Sequence, residues 1–109
     1  MNLSPKTLNT YMKETLDVCR HKKWDSLSLE TIWMFLTEEM GELASALRRT
    51  QVNQFTDRKK INVESELMDV LSYLFQIAYI LNIDLDKTWN SEIKSIRTKR
   101  KCNTILNAE

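Results

Sequence analysis

The stretch VESELMDVLSYLFQIAYIL, residues 63–81, decides the fold. On a helical wheel of about 100° per residue, Leu67, Val70, Leu71, Leu74, Phe75, Ile77, Ala78 and Leu81 cover well over a third of the circumference. Two helices alone cannot hide that much apolar surface, so this helix is expected to be central, with neighbours on several sides. Asn82 and Asp84 supply a stop signal and the start of the next helix, over residues 85–100, after which the tail is expected to fray. Upstream, residues 50–62 read as a polar connection holding at most one short helical turn. Before it, Leu29, Ile32, Leu36, Met40, Leu43 and Leu47 recur at spacings of three and four, the stripe of a helix over residues 29–49. A polar break at residues 22–26 separates this from a first helix carrying Leu8, Tyr11, Met12, Leu16 and Cys19. Ser4-Pro5 is its expected start, with the hydroxyl at the cap and proline in the first turn.

Composition narrows the class. A single Gly and a single Pro in 109 residues cannot supply the turns of a sandwich or barrel, nor a glycine-rich phosphate loop. The expectation is one all-α domain over residues 1–109, a four-helix bundle that buries its remaining apolar surface in a homo-oligomer. No membrane-length apolar run and no basic-then-apolar leader is legible, which predicts a cytoplasmic protein without a membrane partner. Cys19 and Cys102 lack metal-ligand spacing and fit reduced thiols. A net charge of +1 argues against dedicated nucleic-acid binding.

The acids carry the functional signal. With Leu36 at zero on its wheel, Glu39 falls at about 300°, Glu42 at about 240° and Glu38 at about 200°. In the third helix, with Leu67 at zero, Glu66 lies near 260°, Tyr73 near 240° and Asp69 near 200°. One such i, i+3 acid pair is ordinarily a solvated face. Two pairs at the edges of packed faces converge if the helices are antiparallel, and like charges losing water need a cation among them. Carboxylates are hard ligands, so Mg²⁺ is expected, with Mn²⁺ as a substitute. The lone His21 cannot furnish a di-iron site and is expected at the surface.

The acids Glu38, Glu39 and Glu42, followed by Glu66 and Asp69, together with WDSLSLETIWMFLTEEMGEL (24–43) and ESELMDVLSYLFQIAYILNIDL (64–85), resemble the MazG-like nucleoside triphosphate pyrophosphohydrolases. The likeness is closest to the short, single-domain, dCTP pyrophosphatase-like members. It implies a dimeric or tetrameric α bundle that uses Mg²⁺ to cut a nucleoside triphosphate to monophosphate and pyrophosphate, with clearance of non-standard nucleotides as a role. By position it implies Glu39, Glu42, Glu66 and Asp69 as metal ligands and Glu38 or Glu39 as the group that takes the proton. Trp24 and Tyr73 would contact the nucleotide and Lys94 the phosphates. The family's asparagine and Tyr-Pro ending on the fourth helix are missing; Thr98 stands at the asparagine position, which leaves phosphate contacts to Arg97 or Arg100.

Several residues carry a plainer reading. Trp24 either covers a base or plugs the bundle end, Trp33 is expected in the core, and Trp89 in the core or at a subunit contact. Gly41, costly inside a helix, predicts close approach by another element. The basic residues 97–101 read as a helix end or a phosphate patch. Two rival functions stand beside the resemblance: a non-enzymatic helical module that dimerises and binds a partner protein, and hydrolysis of a phosphoribosyl-ATP-like substrate.

Overall fold

The computed structural model describes residues 5–24, 26–52 and 54–107, with side chains described as far as residue 99. Four helices follow one another: α1 (Leu8–His21), α2 (Leu29–Thr50), α3 (Asp57–Ile80) and α4 (Leu85–Asn107). No strand occurs among the described residues.

Each of the first three helices starts on a hydroxyl cap that satisfies one orphan amide. Thr7 accepts from the Thr10 amide at 3.1 Å, Ser28 from Thr31 at 3.2 Å and Thr56 from Lys59 at 3.3 Å. Two expectations are corrected here. Pro5 precedes α1 rather than opening it, because Thr7 is the cap; Ser4 lies outside the described residues. α3 begins at Asp57, not at residue 63, because Thr56 caps it and Asp57 complements the helix dipole, although the first turns show no apolar stripe. The connection shrinks to residues 51–56, clamped by Lys59, whose ammonium donates to the carbonyls of Val52 and Gln54. α4 runs on to Asn107, past the expected end at residue 100.

So short a connection makes α2 and α3 an antiparallel hairpin, and the pairing of Phe35 with Tyr73 and of Glu39 with Glu66 follows that direction. α1 lies against α3, where Met12 and Leu16 bury with Phe75 and Ala78, and Ile83 and Leu85 close the cluster. Burying such a side chain stabilises by about 1.5–3 kcal/mol. The α1 C-terminus turns through Lys23 at φ 62°, and the Trp24 amide reaches back to the Cys19 carbonyl at 2.7 Å. This left-handed closing turn aims Trp24 at the α2–α3 pair. Arg20 adds a tie, donating to the Tyr79 hydroxyl across to α3.

α4 is held mainly by α1, through an exchange of caps. Asp86 accepts from the Leu8 and Asn9 amides at 2.9 and 3.3 Å, while Asn9 Oδ1 accepts from the Leu85 amide at 2.9 Å. Asn9 also donates to Asp84 at 2.9 Å, and Asp84 caps its own helix at Lys87. That bonding holds the Asp84 carboxyl below its ordinary range.

The single chain is open. Its radius of gyration is 17.9 Å, against roughly 13 Å for a compact chain of this length. Its accessible surface is 9198 Å², against roughly 6300 Å² for a compact protein of its mass. α3 is central as expected, yet Leu67, Leu71 and Leu74 remain exposed, as do Met40 and Leu47 of α2. Trp33, expected in the core, is 58% exposed because the buried stripe of α2 runs through Ile32, Leu36 and Ala46 instead. Trp89 is equally exposed, which removes its core reading. Nothing lies within 4 Å of a Cβ built on Gly41, so the expected close approach is absent among the described residues. Among the described residues no single helix is long and apolar enough to cross a membrane.

The exchanged caps are testable. Asn9→Ala and Asp86→Ala should each lower stability by about 1 kcal/mol in urea unfolding, as lost caps do. The double variant should lose less than the sum, because the two residues serve one junction.

Candidate functional site

Glu39 and Glu42 leave α2 one turn apart, and Glu66 leaves α3 opposite them. Ligand oxygens of these three residues lie within 4.8 Å of one another. Glu39 and Glu66 are half-buried, and the Oε2 atom of each is out of water with no hydrogen-bond partner among the described residues. No ion pair engages any of the three acids among the described residues. Asp69, one turn beyond Glu66, is exposed at the rim; its charge acts on Glu39, Glu66 and Tyr73.

The electrostatics follow from this crowding. Burial, then the adjacent Glu42, then the charge of Asp69 push the Glu39 carboxyl from 4.5 to about 7. Burial and Glu42 likewise raise Glu66. Burial, followed by the charges of Glu39, Asp69 and Glu38, raises Tyr73. A solvated carboxylate shows none of this; half-buried acids crowded together without a counter-charge do. The orphaned oxygens fit a divalent ion with hard-ligand preference.

Beside the acids opens a cavity of about 1020 Å³ between α1, α2 and α3. Glu39 and Asp69 line it together with Trp24, Phe35 and Tyr73. The Phe35 and Tyr73 rings lie 6.0 Å apart, inclined at 37°. Trp24 is 52% exposed, with the Lys22 ammonium 5.4 Å from its ring, so it walls the cavity rather than plugging a core.

A model of the MazG nucleotide pyrophosphohydrolase domain matches residues 27–102. The chain belongs to the MazG family. No curated protein matches the chain significantly. Membership makes it a nucleotide pyrophosphohydrolase domain by class, hence a hydrolase, and typically a metal-dependent one. The all-α architecture agrees with a MazG domain.

The structure brings some of the candidate residues together and leaves others apart. Glu39, Glu42 and Glu66 form the cluster, and Asp69, Tyr73 and Trp24 adjoin it at the cavity. Glu38 is exposed and outside the cluster, near enough for its charge to reach Tyr73. Lys94 and Arg97 are exposed on α4 and do not line the cavity. Thr98 donates its hydroxyl proton to the Lys94 carbonyl at 2.9 Å, spending on its own helix the donor that an asparagine amide would offer. The Arg100 and Cys102 side chains lie outside the described residues. His21 is exposed, as expected. Wheel reading does not single out the α1 wall, Tyr11, Thr15 and Cys19, or Gln76 on α3. The available signal for Gln76 was one amide inside the apolar run of residues 74–78.

Because Glu39 binds its proton more tightly when folded, the metal-free protein should be most stable below about pH 4.5 on this account. It should lose that contribution as pH rises to about 7. Thermal melts in EDTA should show this fall, and Glu39→Gln should flatten it.

Proposed function

We propose that this MazG domain hydrolyses nucleoside triphosphates to nucleoside monophosphates and pyrophosphate, with Mg²⁺ held by Glu39, Glu42, Glu66 and Asp69, and Mn²⁺ as a substitute. The observation that carries the reading is the pair of buried, partnerless carboxylate oxygens on Glu39 and Glu66 at the edge of an aromatic-lined cavity. Acids alone repel a polyphosphate, whereas acids loaded with divalent ions attract it; aromatic walls suit a planar base. When bound, the ion would supply neutralisation of the phosphates and activation of the attacking water.

The chain's own groups do the rest. Asp69 at the rim and Glu39 within set the negative field that concentrates cations. Glu38, exposed beside the cluster, or a carboxylate of the loaded cluster such as Glu39 takes the proton of the attacking water. Trp24 and Tyr73 enclose the base, with Phe35 backing Tyr73. Lys94 and Arg97 lie off the cavity on α4, which packs on α1, so phosphate contacts by them would be made across to a second copy. Homo-oligomerisation, as dimer or tetramer, is supported by the surplus accessible surface and by the exposed leucines of α3. The same apolar faces would also serve a non-enzymatic interaction module, but such a module has no use for buried, unpaired acids. A cytoplasmic setting, where nucleoside triphosphates and Mg²⁺ abound, and clearance of non-standard nucleotides complete the reading.

Chromatography of a nucleotide panel incubated with Mg²⁺ should show monophosphate and pyrophosphate as primary products. Diphosphate and orthophosphate would contradict the reading, and exclusive use of phosphoribosyl-ATP would move it to the rival substrate. Glu42→Gln and Asp69→Asn should cut turnover on the order of a hundredfold or more, with the fold retained. Light scattering should give at least twice 12.9 kDa, and an active monomer would remove the oligomer.

A further inference from the structure

Gln76 is the buried polar residue among the described residues, 7% exposed, and it lies on the wall of the cavity. Its neighbours on α3, Phe75, Ile77 and Ala78, are apolar, and the cavity around it is walled by Tyr11, Phe35 and Tyr73. The amide has one hydrogen bond, from Nε2 to the Ser72 carbonyl at 3.3 Å. A carbonyl accepts only, so this bond fixes which end of the amide faces the helix. Oε1 takes no part in that bond. Burying an amide costs stability that a leucine at this position would not.

The position suits a reader of the substrate. Gln76 follows Asp69 by two helical turns, roughly 10 Å along α3. That span matches the reach from the α-phosphate of a nucleotide to the far edge of its base. The amide oxygen and the second N–H, neither of them engaged by Ser72, present an acceptor beside a donor. The matching partner is a heterocycle edge with an N–H next to a ring acceptor, as nucleobases carry and sugars and phosphates do not.

We propose that Gln76 is a specificity-determining residue that orients the substrate's base, Oε1 accepting from an N–H on the base edge and the second amide N–H donating to the neighbouring acceptor. The proposal rests on the pyrophosphohydrolase reading for the presence of a nucleotide. It adds the group that recognises the base.

The test uses reaction products, which bind without turning over. In Mg²⁺, the four common nucleoside monophosphates, the tightest of them methylated at its edge N–H, and ribose 5-phosphate as the base-free probe are titrated into wild type and Gln76→Leu. Wild type should bind its preferred monophosphate more tightly than ribose 5-phosphate. Gln76→Leu should weaken that monophosphate by about tenfold to a hundredfold. Ribose 5-phosphate should bind both proteins alike, and edge methylation should weaken wild type only. Unchanged monophosphate binding in the variant overturns the proposal, as does equal weakening of ribose 5-phosphate, which marks a structural role. No preference of wild type for a monophosphate over ribose 5-phosphate also overturns it. Turnover of triphosphate by wild type, read separately, reports on the pyrophosphohydrolase reading whichever way the binding falls. Gln76→Met replaces Gln76→Leu if circular dichroism shows the leucine variant unfolded.

Discussion

Two carboxylate oxygens, Oε2 of Glu39 and Oε2 of Glu66, are held out of water where α2 meets α3, with no partner among the described residues to compensate them. Left ionised, they repel each other and Glu42, and that cost, with burial, pushes Glu39 up to about 7. No lysine or arginine among the described residues pairs with the cluster to relieve it. The rest of the hairpin is arranged to sustain that conflict. Ile32 and Leu36 bury beside the acids of α2, and the short, clamped connection at residues 51–56 holds the helices antiparallel so the two pairs meet.

Around this centre the molecule is built in unequal parts. α1 and α3 share the buried cluster, α2 joins them at the cavity, and α4, beyond Leu85, depends on the exchange of caps among Asn9, Asp84 and Asp86. Lys23 adopts a left-handed φ that disfavours a lysine, and the turn it makes places Trp24 on the cavity wall. Surplus apolar surface on α2 and α3 points outward, with Met40, Leu47, Leu67 and Leu74 exposed.

Much of this could be read from residue order alone. The helical class followed from one Gly, one Pro and the apolar spread of residues 63–81, and the acids were found because i, i+3 spacing puts them at the edge of a packed stripe. Convergence of Glu39, Glu42 and Glu66 needed only antiparallel packing, which a short connection enforces. What periodicity missed has physical causes. The first turns of α3 are polar, so they carry no stripe, and only the Thr56 cap marks them. Trp33 is apolar and well placed on a wheel, but the chain turns Ile32 and Leu36 inward, and a wheel cannot tell a core face from an interface face. Gln76 passes as a defect in an apolar run until a cavity is seen beside it. Gly41 was expected to mark a close contact, and among the described residues there is none.

The central claim is that the acids are a divalent-cation site kept partly protonated until the ion arrives. Calorimetric titration of Mg²⁺ into metal-free protein at pH 7, in buffers of different ionisation enthalpy, reads both binding and proton release. Binding should release protons, because Glu39, pushed up to about 7, must ionise to bind and Glu66 is raised in the same direction. At pH 9 the release should vanish while binding remains, and Glu39→Gln should bind weakly with less release. Absence of Mg²⁺ binding, or binding with full affinity by Glu39→Gln, would contradict the account.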